Sequence, residues 1–179
     1  MGNGIIHYRV DDRMLHGIVA IDWVPNMHAT RAMVVDDAAS KNDVVRSSLK
    51  MACPAGVALS VLSDEKAANN ILAGNYSRQK VFVTCRHIKD AYYLFKAGVP
   101  IPRLNLGDVT QNKGETTTLG KTVRVSDEEK AQLKEMRDAG TQITVQVDFK
   151  ARTKPWRQSL PQGAGGRLVF QVKSFLLHR

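Results

Sequence analysis

Apolar residues fall into short runs separated by stretches of helical spacing, and each run closes on or near a polar residue or a glycine. The runs "GIIHYRV" (4–10), "RAMVVDD" (31–37), "GVALSVL" (56–62), "KVFVTC" (80–85) and "PRLNLGD" (102–108) predict short buried strands. Between them, 17–28, 38–52, 64–73 and 87–97 carry apolar positions at helical intervals, with stop signals at Gly56, Gly74 and Gly98. This alternation predicts an α/β fold: a single-domain, open, mostly parallel twisted sheet with helices on both faces. Residues 116–125, "TTTLGKTVRV", predict a β-hairpin turning at Leu119-Gly120. A C-terminal helix-strand unit follows. In "SDEEKAQLKEMRDAG" (126–140) Ser126 is the expected N-cap, Glu129 completes a capping box and Gly140 ends the helix, while "TQITVQV" (141–147) alternates as a strand does.

The stretch 10–18, "VDDRMLHGI", breaks the apolar pattern directly after the first predicted strand. Charged groups are costly inside a core unless paired, so this mixture suits a polar encounter. In open α/β sheets ligands bind beyond the carboxyl ends of the strands, which is where this loop falls. Gly17, ahead of a helix, suits close backbone approach to a ligand. His16 has three readings: a nucleophile, a metal ligand, or an ordinary polar loop residue. Metal binding is the weakest, because Arg13 in the same loop repels a cation and the loop offers no converging carboxylates from elsewhere. A dinucleotide fingerprint is missing after the first strand, and no cofactor is expected. Phosphate chemistry fits best: a neutral imidazole can attack phosphorus, the planar Arg13 fork can hold phosphate oxygens, and Asp11 or Asp12 can fix the histidine tautomer. Asp36 and Asp37 end the second strand, where a helix cap competes with a role in the site. Thr84 and Arg86 hold the same place on the fourth strand. His7 and His28 read as structural, and Trp23 as core or partner-surface packing.

At 179 residues with 43% hydrophobic content, the chain can build one ordinary core. No stretch approaches the roughly 18 apolar residues of a membrane span, and an unexported, cytoplasmic protein is expected. Cys53 and Cys85 lack metal or redox spacing and read as reduced. The net charge of +9 is a property of one end: seven of the 26 basic residues and none of the 17 acidic ones lie in 150–179, leaving the rest at +2. The body lacks the basic, aromatic-interleaved face that nucleic-acid binding requires.

The stretch "RVDDRMLHG" (9–17) resembles the signature of the IIB component of the mannose/fructose/sorbose-type sugar phosphotransferase system, approximately R-[IV]-D-[DE]-R-[LM]-[IL]-H-G-Q. The similarity continues through 34–57, 98–108 and 121–147. The resemblance implies that His16 accepts a phosphoryl group from a IIA phosphocarrier and donates it to a sugar entering through membrane IIC and IID permease components. Arg13 is then the phosphate-stabilising residue, with Asp11, Asp12, Gly17, Asp36, Asn105 and Gly107 as candidate lining positions. Peripheral association with the permease and a homo-oligomer are further expectations; no metal and no nucleic acid is expected. Two positions depart from the pattern. Ile18 stands where the family has glutamine, and "NLGDV" (105–109) replaces Asn-x-Gly-Gly/Asn-Met, which puts Asp108 near an expected anion site. The carrier domain is expected over 1–149. Residues 150–179 read as an atypical basic tail, appended or frame-altered, with a native helper touching the membrane complex as the competing idea. The rival functions are a small-molecule or nucleotide-binding α/β module without chemistry, and a nucleic-acid binder acting through the tail.

Overall fold

In the computed structural model, residues 3–110, 116–119, 122–151 and 154–155 are described. Strands β1 (Ile5–Val10), β2 (Arg31–Val35), β3 (Ala58–Leu62), β4 (Val81–Cys85), β5 (Arg103–Leu106) and β8 (Gln142–Val145) form a parallel sheet in the order β3-β2-β4-β1-β5-β8. The two-residue β9 (Lys154–Pro155) adds antiparallel to β8. Strands β6 (Thr117–Leu119) and β7 (Val123–Val125) pair as the expected hairpin, joined to Val109 by a single bridge at Val123. Its turn at Gly120 lies outside the described residues, as does the chain beyond Pro155.

The central strands are mostly apolar because both faces are covered, and the polar residues they carry, Arg9, Thr84 and Asn105, are buried. On one face Val81, Val83 and Cys85 pack with Tyr8, Val10, Met33 and Val35 under helices α4 (Asp64–Leu72), α5 (Ile88–Lys96) and α6 (Asp127–Asp138). On the other, Phe82, Ala32 and Val34 pack against Leu15, Val19, Trp23 and Leu49. Ser126 caps α6 by accepting the Glu129 N–H at 3.2 Å, and the Glu129 carboxylate returns to the Ser126 N–H at 2.8 Å. Both cysteines are free thiols.

Two expected helices are built differently. The stretch 38–52 is not continuous: α2 (Asp37–Ser40) stops, and α3 (Asp43–Ala52) restarts on Asn42, whose side-chain oxygen accepts the N–H groups of Val44 and Val45. An asparagine that satisfies two free N–H groups makes a better helix start than a mid-helix residue. The stretch 17–28 is a π-helix (Val19–Trp23) running into a single turn, α1 (Val24–Asn26). Chain direction then locates the site. The connection from β1 crosses to β2 on one side, and that from β4 crosses to β5 on the other, so a crevice opens where the carboxyl ends of these adjacent strands diverge.

Candidate active site

The loop after β1 fills that crevice, and its base is built of charges that answer one another. Arg9 is 0% exposed, yet all five of its N–H donors are used. Nε and Nη2 donate to Asp11 Oδ2 at 3.1 and 2.8 Å, and Nη1 donates to Asn105 Oδ1 at 2.5 Å and to the Gln146 carbonyl at 2.9 Å. Nη2 also donates to the Val147 carbonyl at 3.2 Å. The guanidinium stacks 4.7 Å from the centroid of Trp23, whose indole N–H donates to the same Val147 carbonyl. Burial pushes the Asp11 carboxyl up and the Arg9 guanidinium down, and their mutual attraction opposes both shifts. With every donor met, the pair is an ionised clamp that ties β1 to β5 and to the end of β8.

Asp11 turns its second oxygen outward to accept the Arg13 N–H at 3.2 Å. Asp12 pins the loop sideways: its N–H donates to the Asp108 carbonyl at 2.8 Å, and its carboxylate accepts the Thr110 N–H. Both aspartates are thus buried fasteners. Met14 adopts a left-handed φ of 57°, with its N–H closing a turn onto the Asp11 carbonyl, and Gly17 follows at φ 51°. A left-handed methionine stores strain of the kind found at functional sites.

At the tip the surroundings change. Arg13 has 48% of its side chain exposed; Nη2 lies 3.0 Å from Asp108 Oδ2, and Nε lies 3.8 Å from Asp11 Oδ1. His16 is half-buried, and its Nε2 sits 3.4 Å from Ser48 Oγ on α3. If Nε2 carries the proton and donates to Ser48, Nδ1 holds a free lone pair.

Other expected lining residues lie off this tip. Asp36 is the N-cap of α2, accepting the Ala39 N–H at 2.6 Å, with Arg86 and His87 at 3.7 and 3.9 Å. Asp37 accepts the N–H of Asp64, and Thr84 is buried within β4. Asn105 and Gly107 serve the Arg9 clamp: a Cβ on residue 107 would run into the guanidinium. His7 stacks between Trp23 and Phe82 at 5.1 and 5.0 Å, and burial pushes its pKa down to about 4, consistent with a structural role. His28 follows Met27, the C-cap of α1, at a left-handed φ of 50°. Sequence reasoning missed Arg9 as a support and Ser48 as the partner of His16. Ser48 sends no local signal; only its helical spacing from Val44 and Met51 placed it on a definable face. Among the described residues, no three His, Cys, Asp or Glu side chains converge as metal ligands would.

An open α/β sheet with a histidine carried on a clamped loop at its carboxyl edge defines a class of small carrier domain. The chain belongs to the sorbose subfamily of phosphotransferase-system (PTS) IIB components, whose family model matches residues 5–164. It is 30% identical over 142 residues to the N-acetylgalactosamine-specific phosphotransferase enzyme IIB component 2 of Escherichia coli, covering 79% of this chain and 89% of that one. It is 29% identical over 139 residues to the sorbose-specific EIIB component of Lacticaseibacillus casei, covering 78% and 84%. The crystal structure of the IIB domain of the Klebsiella pneumoniae sorbose permease superposes with a TM-score of 0.78 at 27% identity, covering 86% of this chain and 93% of that one. The protein is accordingly a IIB phosphocarrier, a phosphotransferase that works with IIA and membrane IIC and IID components to move phosphoryl groups to sugar.

Proposed function

We propose that His16 is the phosphoryl carrier and that Nδ1 is the nitrogen that bonds phosphorus. The observation that carries this is the 3.4 Å approach of Ser48 to Nε2: with the proton on Nε2 and donated to that hydroxyl, the lone pair stands on Nδ1. In the transfer, the P–N bond to the donor histidine breaks while a P–N bond to His16 forms. The donor nitrogen keeps the electron pair of the old bond, and His16 supplies the pair of the new one. Little covalent chemistry is left for the protein, so positioning and charge stabilisation carry the catalysis. Arg13 supplies the charge, because a guanidinium can hold two phosphoryl oxygens in fixed geometry.

The surroundings favour a protein donor. Ile21, Val44 and Met51 are 78%, 80% and 82% exposed. Val44 and Met51 stand four residues before and three after Ser48, on one face of α3. Large apolar side chains left in water around a reactive group mark a docking rim, and a IIA component is its occupant. No helix among the described residues is long and apolar enough to cross a membrane.

The test is incubation with phosphoenolpyruvate, the general phosphotransfer proteins and a mannose-family IIA, followed by intact mass and site mapping. One acid-labile, alkali-stable phosphate on His16 is expected, with none on a folded His16→Ala chain. Phosphate on His7, His28 or His87 would remove the assignment.

A further inference from the structure

The neighbouring loop, after β5, carries one anion that the family pattern does not contain. Asp108 follows Gly107 where that pattern has glycine or asparagine, and its carboxylate oxygen lies 3.0 Å from Nη2 of Arg13. Its other oxygen, Oδ1, is buried with no hydrogen-bond partner among the described residues. A buried polar atom left unsatisfied costs free energy and calls for an explanation. The loop's construction does not supply one, since Asp12 is held by the Asp108 backbone carbonyl and by Thr110, neither of which needs the Asp108 side chain. The side chain does change the charge. Arg9 and Arg13 balance Asp11 and Asp12, so Asp108 leaves this set with one acidic residue more than basic ones.

Resting on the assignment of His16 and Arg13 above, we propose that Asp108 raises the phosphoryl-transfer potential of His16. It does so by competing with the phosphate for Arg13 and by adding a negative charge beside a phosphoryl group of up to two negative charges. The carrier becomes harder to load from IIA and readier to give the group to sugar. Asp108 is a positioning residue here: it acts on the phosphate through Arg13 and through its field, and takes no part in bond making. Because Arg13 is half exposed, it can leave Asp108 when phosphate arrives, and the anion sets the cost of that move.

The measurement is the equilibrium partition of phosphate between a mannose-family IIA and this chain, read by intact mass with limiting phosphoenolpyruvate. Asp108→Asn removes the charge and keeps the shape. It should raise the ratio of phosphorylated chain to phosphorylated IIA about tenfold, equivalent to about 1.4 kcal/mol. Asp108→Ser should do the same and guards against a folding artefact of one variant, while Asp108→Glu should stay within about twofold of wild type. In an Arg13→Ala background the Asp108→Asn effect should fall by at least half, which a merely structural side chain would not produce. A folded Asp108→Asn chain with an unchanged or lower ratio overturns the proposal while leaving the His16 assignment intact. A wild-type chain that takes no phosphate on His16 overturns both.

Discussion

The base and the tip of the same loop treat charge in opposite ways. At the base, Arg9 and Asp11 are both 0% exposed and every guanidinium N–H has an acceptor. At the tip, Arg13 is 48% exposed, its ion pairs leave much of its donor fork uncommitted, and His16 has one ring nitrogen engaged. The buried charges fix where the loop stands, and the exposed ones stay available to bind something else. A reactive histidine needs both, because a loop held only by screened surface pairs would be anchored by about 0–1 kcal/mol per pair.

The sharpest way to break this comparison is to remove the base. Arg9→Leu strips Asp11 Oδ2 and the Asn105 amide oxygen of their guanidinium donors and takes one donor each from the Gln146 and Val147 carbonyls, the latter keeping the Trp23 indole N–H. Breaking a buried pair from one side typically costs about 3–5 kcal/mol, and a chain of this size should lose on the order of 10 °C in Tm. Replacing both partners, as in Arg9→Met with Asp11→Leu, removes the uncompensated charge and should recover part of that loss. The double variant should nevertheless transfer phosphate poorly, since Asp11 no longer orients the Arg13 backbone. Melting curves beside transfer rates decide the matter; a double variant with wild-type transfer would show that the clamp only stabilises.

At the tip the expected effects reverse. Arg13→Ala should leave Tm within a few degrees, because the residue is half exposed, and should slow phosphoryl transfer by about 10²–10³, the usual cost of one lost stabilising contact to developing charge. Arg13→Lys should fall between, keeping the charge and losing the fork. Rapid-quench transfer from phosphorylated IIA, run well below the melting transition, reads both. An Arg13→Ala chain that melts early and transfers normally would move Arg13 to the base of the loop.

These two regions were unequally legible in the sequence. Strands β1 to β5 announced themselves because burial on both faces leaves short, mostly apolar runs, and the Ser126-Glu129 cap because its partners are three residues apart. The loop motif pointed to His16 and Arg13 through residue types in local order. Arg9 could not be read so, since an arginine inside a strand looks like a solvent-facing position. What permits its burial is Asn105, 96 residues away, and the Gln146 carbonyl, 137 away. Asn105 and Gly107 were noticed for the right neighbourhood and the wrong neighbour: they face the clamp. The apolar spacing over 38–52 predicts a continuous helix because Asn42 interrupts it without disturbing that spacing. Asp36 kept two readings until the 2.6 Å contact with the Ala39 N–H showed it capping α2.

The smallest predicted effect falls on Ser48, which reaches the tip from α3. If its hydroxyl accepts a proton from Nε2, it biases the neutral imidazole towards the tautomer whose lone pair is on Nδ1. Removing a single neutral hydrogen bond changes a free energy by about 0.5–1.5 kcal/mol, so Ser48→Ala should slow transfer by roughly two- to twelve-fold with Tm almost unmoved. A modest loss of rate could also come from a disturbed docking face, because Val44 and Met51 flank Ser48 on α3. The two causes separate in the free protein, where no partner is present. Nitrogen-15 chemical shifts of the His16 ring should show the proton on Nε2 in wild type and a more even distribution in Ser48→Ala, while Val44→Ala should leave the shifts alone and weaken only the encounter with IIA. Identical ring shifts in wild type and Ser48→Ala would remove Ser48 from the chemistry and leave it as part of the docking rim.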